Sequence, residues 1–128
     1  QWQGIEFHLR SSIHVYNGFS TIPTFGLIMH SKTSKKIFLT SDTQFTPEHL
    51  KESYNVADII IQDCETSPFR SEVHAHYEDL KTLPIEIKSK MLLWHYQDNV
   101  VDKFDEWQAK AHSDGFIGFI KKGECIDA

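Results

Sequence analysis

The sequence lacks the features that mark several specialised protein classes. Only two of its 128 residues are cysteine, and the distance along the chain between Cys64 and Cys125 suits neither a zinc motif nor a local disulfide. A reducing compartment, the cytoplasm, is therefore the expected location. No apolar run approaches the roughly 18 residues that a membrane-spanning helix requires. Gln1 and Trp2 open the chain without the pattern of a signal peptide, so we expect no membrane partner.

An excess of basic residues is also missing. Thirteen Lys and Arg stand against 18 Asp and Glu, which gives a formal net charge of −5. Surfaces that bind nucleic acid without sequence preference normally carry a positive excess. The composition argues against such a surface but leaves open a small phosphate-bearing substrate at a metal site. The chain is long enough to bury a core, and we expect one domain over residues 1–128.

The apolar runs and turn signals predict an α/β fold. Thr46 and Pro47 form a typical helix start, with a capping side chain followed by proline at the first helical position. Strands are predicted at 4–15 (one or two strands), 25–29, 37–40, 57–61, 90–94 and 116–120. Helices are predicted from 47 to 54, 77 to 83, 85 to 89 and 102 to 111. With two strands in the first segment the order is β-β-β-β-α-β-α-β-α-β, which predicts a mixed sheet with flanking helices.

Two side chains that can bind a metal follow predicted strands directly. Asp42 comes after the apolar run Ile37–Thr40, and His95 comes after the run Lys90–Trp94. Because α/β folds place ligands at the carboxyl edge of the sheet, both residues are candidate metal ligands. For either residue alone, a structural role is the commoner outcome: Asp42 as a turn or helix cap, His95 as a hydrogen-bonded core histidine.

The chain has eight histidines, and two other segments contain histidines that are candidate ligands. His14 belongs to the opening strands. His74 and His76 are separated by one alanine, just before a predicted helix. Since alternate residues of an extended chain point to the same side, this spacing can bring two imidazoles together. The same three residues are equally typical of a solvated loop.

The order of these elements resembles the second half of the metallo-β-lactamase fold. In that superfamily a strand ending in an S-D-T-like element supplies the carboxylate that bridges two metals, and Ser41-Asp42-Thr43 matches this element. A later strand ends in a histidine ligand, which matches His95. An earlier histidine completes the shell of the first metal, and His14 is its best match. The resemblance covers residues from about His14 to Phe119.

The segment 58–80, which lies between Asp42 and His95, resembles the phosphodiesterase branch of the superfamily, which includes ribonucleases that process tRNA 3′ ends. Asp63-Cys64-Glu65-Thr66 matches the acidic motif of that branch approximately, with Asp63 where the family has histidine. His74 falls at the position of the catalytic histidine of the branch. That histidine would stabilise the phosphoryl oxygens or protonate the leaving group.

The resemblance implies half of an αββα sandwich and a metal-dependent hydrolase acting on phosphodiester bonds of a nucleotide or RNA. His14, Asp42 and His95 are then the metal ligands, and His74 is the catalytic residue. The complete fold holds two cations, zinc or manganese, with His14 serving one and His95 the other. The paired charge lowers the pKa of a shared water.

The superfamily signature H-x-H-x-D-H is missing, because His74-Ala75-His76 has neither Asp nor His at the required offsets. Three explanations stay open. The chain is a fragment lacking the N-terminal half, which the missing initiator Met favours. It is a half-length protein that covers an apolar sheet face by forming a homo-oligomer, such as a dimer. Or it is a non-catalytic interaction module without metal. A soluble α/β domain with purely structural histidines is the remaining alternative.

Overall fold

The computed structural model describes residues 4–126, and its central element is a six-stranded sheet in the order β1 to β6. Pairing is antiparallel between the first three strands and parallel from β3 to β6. The mixed sheet that the sequence predicts is therefore confirmed. The strands are β1 (Phe7–Tyr16), β2 (Thr21–His30), β3 (Lys36–Leu39), β4 (Ile59–Asp63), β5 (Met91–Trp94) and β6 (Gly118–Phe119).

Five helices lie in the described part of the chain and connect or flank the parallel strands. They are α1 (Pro47–Val56), α2 (Tyr77–Leu80), α3 (Ile85–Lys88), α4 (Asp98–Asp102) and α5 (Phe104–Ser113). The helix predicted at Pro47 begins there, but the Thr46 side chain makes no capping hydrogen bond. Gly115 follows α5 with a φ of +97°, a left-handed turn for which glycine carries no Cβ penalty.

Two details of the elements differ from the predicted order. The first segment forms one strand, because the register irregularity between Ile13 and Val15 shifts the β1–β2 ladder without ending it. The sheet therefore has six strands instead of seven. The helix predicted over 102–111 corresponds to α5, which begins two residues later. The short helix α4 before it was not predicted, and Lys103 separates the two helices with φ −134° and ψ 43°.

The two faces of the sheet differ in what covers them. Alternate residues of the parallel strands, including Phe38, Ile60, Met91 and Leu93, are buried under the helices. The opposite face carries one apolar row across five paired strands: Leu9, Leu27, Leu39, Ile61 and Leu92. This arrangement is consistent with one half of a metallo-β-lactamase-like sandwich. None of the helices in residues 4–126 combines the length and apolar character needed to cross a membrane.

Candidate metal centre

The candidate site lies at the edge of the sheet where β1, β3, β4 and β5 all end. β1 runs in the same direction as β3, because antiparallel pairing with β2 reverses the chain twice. His14 near the end of β1 therefore reaches the same edge as Asp42 after β3 and His95 after β5. The backbone N–H of Gln44 donates to the carbonyl of Ile13 at 2.8 Å, which holds the loop after β3 against β1.

Asp63, the last residue of β4, lies at the centre of this edge with a fully buried side chain. Its Oδ2 accepts hydrogen bonds from His74 Nδ1 at 2.7 Å and from the backbone N–H of Thr43 at 2.9 Å. Its Oδ1 accepts from His95 Nδ1 at 3.0 Å. Because a carboxylate only accepts, each histidine donates from Nδ1 and keeps Nε2 for another partner, as in carboxylate–histidine–metal arrangements.

The side chain of Thr40 holds the backbone of Asp63 in place. Its hydroxyl oxygen accepts a 3.0 Å hydrogen bond from the backbone N–H of Asp63, and the hydroxyl itself donates to the carbonyl of Ser41 at 2.9 Å. Thr40 and Asp63 are both fully buried. The link between the ends of β3 and β4 therefore satisfies polar groups that would be costly to leave without partners.

The polar side chains at this edge form two groups that share His74. Within each group, the ligand atoms lie within 4.8 Å of one another. One group is His14, Asp42 and His74, and the other is Asp63, His74 and His95. Asp42 Oδ1 also lies 3.5 Å from His95 Nδ1. Imidazole and carboxylate donors are those that zinc and manganese take in proteins, so the chemistry of this donor set fits a divalent cation.

All four residues predicted from the sequence meet at this edge. The ring centroids of His14 and His74 are 5.3 Å apart, and those of His74 and His95 are 4.8 Å apart. The predicted ligands His14, Asp42 and His95 do not form one group among the described residues. Asp42 shares a group with His14 and, separately, lies 3.5 Å from His95. The roles of the four residues stay predictions.

Asp63 is the residue whose importance the sequence does not reveal directly. It matches the acidic motif only approximately, and its contacts with His74 and His95 join residues 11 and 32 positions apart. A signal does exist, since a carboxylate at the end of the apolar run that forms β4 resembles the pattern that singles out Asp42.

The two histidines of the H-x-H segment separate. The His76 ring contacts the carbonyl of Ser67 through Nε2 at 3.0 Å and accepts from the backbone N–H of Glu78 through Nδ1 at 3.2 Å. It therefore caps α2. Only His74 of this pair enters the ligand groups.

Backbone strain accompanies the site. Ser41, Glu72 and His95 have φ values of 57°, 63° and 63°, in the left-handed region that side chains other than glycine rarely adopt. Ser41 precedes Asp42, and Glu72 lies two residues before His74. Such conformations cost on the order of 1–3 kcal/mol each and persist where the surrounding contacts enforce them. The fold therefore holds these side chains in place at some cost in stability.

A cavity of about 360 Å³ adjoins the site. His74 lines it, whereas His14, Asp42 and His95 do not. The other lining residues come from the end of β1, the loop after β3 and the segment leading into α2: Tyr16, Gln44, Phe45, Arg70, Glu72, His76 and Asp79. The edge therefore has two parts, a ligand cluster and a neighbouring cavity, with His74 between them.

Comparison with known proteins gives one family and one fold. The family model described as Anti-Pycsar protein Apyc1 matches residues 1–126. No curated protein matches the sequence. Among solved structures, a crystal structure of unliganded yeast PDE1 is similar with a TM-score of 0.57 and 8% sequence identity. The similarity covers 91% of this chain and 44% of that chain, so the sequence spans less than half the length of this structural relative.

Proposed function

The chain belongs to the Anti-Pycsar protein Apyc1 family, and from this premise we propose that it forms part of a metal-dependent phosphodiesterase acting on cyclic nucleotides. Degradation of cyclic nucleotides is the action expected of an anti-Pycsar protein. The name PDE1 also denotes a phosphodiesterase, and its fold is similar. The observation that carries the proposal is the convergence of His14, Asp42 and His74 on one edge of the sheet. The wider superfamily that we propose is the metallo-β-lactamase superfamily.

His14, Asp42 and His95 are the residues that we propose as metal ligands. Asp42 contacts His95 and groups with His14, while His14 and His95 do not share a group within residues 4–126. If two cations bind, His14 would therefore serve one and His95 the other, with Asp42 available to both. When bound, zinc or manganese supplies Lewis-acid activation of the phosphodiester and a lowered pKa for an attacking water.

His74 is the residue that we propose as catalytic. It lies between the ligand cluster and the cavity, where the leaving oxygen of a substrate would be placed. Its Nδ1 donates to Asp63 at 2.7 Å, so the ring presents Nε2 on its other side. An imidazole held in this way can carry a proton at Nε2 for the leaving oxygen, a contribution of about 10²- to 10⁴-fold in rate.

The partly exposed apolar row of the sheet suggests a second layer over that face. We propose that this layer is either additional chain, as the 44% coverage of yeast PDE1 suggests, or a second copy of this chain. Leu9 at one end of the row is 64% exposed, and contiguous exposed apolar surface marks an interaction site. Light scattering distinguishes the two forms: a dimer supports the second copy, and a monomer counts against it.

The proposed activity is tested by incubating the purified chain with a cyclic nucleotide and Mn²⁺ or Zn²⁺. We expect slow formation of a nucleoside monophosphate that Asp42→Ala abolishes. The matched control is Asp105→Ala, which removes a carboxylate from the exposed face of α5 and should leave the rate unchanged. Equal rates for the wild-type chain and Asp42→Ala would contradict the proposal.

A further inference from the structure

The cavity beside His74 has the size of a small-molecule site. Its volume of about 360 Å³ falls within the range of roughly 300–1,000 Å³ that ligand pockets occupy. Three separate segments contribute to its wall: Tyr16 ends β1, Phe45 follows β3, and Arg70 lies between β4 and α2. Because His74 belongs both to this wall and to the ligand groups, the cavity is within reach of a molecule bound at the cluster.

The charges of the wall disfavour a second phosphate group, because its two carboxylates outnumber its one guanidinium. Its lining includes one guanidinium, that of Arg70, and the carboxylates of Glu72 and Asp79. Asp79 already pairs with Arg70 through a salt bridge. A phosphate here would therefore face unfavourable repulsion from Glu72 without a cation of its own. A neutral group meets no such repulsion.

The aromatic side chains of the wall favour a planar ring as the occupant. Tyr16 is 60% exposed at the end of a strand, and Phe45 is partly buried and packs against the core. Phe45 is therefore held in place, while Tyr16 keeps an open face. Aromatic rings beside a phosphate-binding site are surfaces on which nucleobases stack with little sequence preference.

We infer that this cavity binds the neutral nucleoside part of the substrate, with Tyr16 and Phe45 contacting the base. The inference rests on the proposed function, since it places the phosphate of the same substrate at the metal ligands. The same inference predicts that RNA is a poor substrate. An internal nucleoside of RNA carries a phosphate on each side, and the second would lie near Glu72 and Asp79.

Calorimetry tests the inference by comparing a nucleoside 5′-monophosphate with ribose 5-phosphate on the same Mn²⁺-loaded chain. The two ligands share the phosphate and sugar and differ in the base. We expect the nucleotide to bind about tenfold more tightly, as one stacked base allows. Tyr16→Ala should reduce this preference to about twofold or less. The matched control is Phe19→Ala, which removes an aromatic ring that is 99% exposed in the turn after β1 and does not line the cavity.

Equal binding of the two ligands to the wild-type chain overturns the inference, as does a preference that Tyr16→Ala leaves intact. Phe45→Leu provides a second test, because it keeps apolar packing against the core while removing the ring, and we expect it to weaken the preference as well. A failure of this inference can be distinguished from a failure of the proposed function. If hydrolysis depends on Asp42 but binding shows no preference for the base, only the inference about the cavity is contradicted. If binding shows a preference for the base but no hydrolysis occurs, only the proposed activity is contradicted.

Discussion

The buried carboxylate of Asp63 accepts a hydrogen bond of 2.7 Å from Nδ1 of His74. The other oxygen of the same carboxylate accepts from His95 at 3.0 Å. One side chain at the end of β4 thus orients two imidazoles that come from different parts of the chain. Charges are rarely buried without partners, and here the partners are two of the residues proposed for metal chemistry.

Asp63→Asn should weaken metal binding without changing the shape of the site. An amide keeps one acceptor oxygen where the carboxylate has two. His95 loses its partner if the nitrogen takes the Oδ1 position, and Thr43 and His74 lose theirs if it takes the Oδ2 position. Loss of such an orienting partner typically lowers metal affinity by about 10- to 100-fold. Calorimetric titration with Zn²⁺ measures this change. The control is Asp58→Asn, which alters a carboxylate bonded to the backbone N–H of Lys36 at the other end of the sheet; a similar loss there would contradict the role of Asp63.

Thr40→Val should destabilise the fold by about 1–3 kcal/mol in the free energy of unfolding. The two side chains have nearly the same shape, but valine leaves the buried N–H of Asp63 without its acceptor. Urea denaturation followed by circular dichroism gives the value. Thr33→Val changes an exposed hydroxyl and serves as the control. If both variants unfold at the wild-type urea concentration, the Thr40–Asp63 link contributes nothing to stability.

Cys64 should be inert in the folded chain. Burial raises the pKa of its thiol, and the neighbouring charges of Asp63 and Glu65 raise it further. Because the thiolate is the reactive form, a colorimetric thiol reagent at about pH 8 should modify only the exposed Cys125. Denaturation should release the second thiol. Rapid reaction of both cysteines in the native chain would show that the end of β4 opens readily.

His74→Ala and His76→Ala should behave differently although the residues are two positions apart. His74→Ala removes the proposed proton donor, so hydrolysis should fall by about 10²- to 10⁴-fold while metal affinity changes by less than about tenfold. His76→Ala removes a contact that caps α2 and should cost stability without reducing the rate. The hydrolysis rate and the metal affinity of both variants are measured together. A large loss of metal affinity in His74→Ala would contradict the proton-donor role and identify His74 as a metal ligand.

The sequence predicts the elements and the edge of the sheet at which the site lies. Asp42 and His95 follow short apolar runs, and parallel strands bring such positions to one edge. His14 is less obvious, since it reaches this edge only because β2 pairs antiparallel with both of its neighbours. The turn residues 17–20 and the polar segment 31–36 favour hairpins on both sides of β2, so the convergence of these residues was predictable in outline.

Other features depend on contacts that no local pattern contains. The shared role of Asp63 arises from hydrogen bonds to His74 and His95 across 11 and 32 residues. The H-x-H spacing gives no indication that His76 turns to cap α2. The continuity of β1 past its irregularity at Ile13 is decided by the ladder with β2, and this is why the sequence alone leaves one strand or two open.

Metal titration of the wild-type chain and of Asp42→Ala tests the central claim most directly. Asp42 lies beside His95 and groups with His14 and His74, so its carboxylate should be common to the cation sites. We predict that the wild-type chain binds at least one Zn²⁺ or Mn²⁺, that Asp42→Ala lowers the affinity by about tenfold or more, and that Asp105→Ala leaves it unchanged. Binding of the same strength in the wild-type chain and Asp42→Ala would contradict the account.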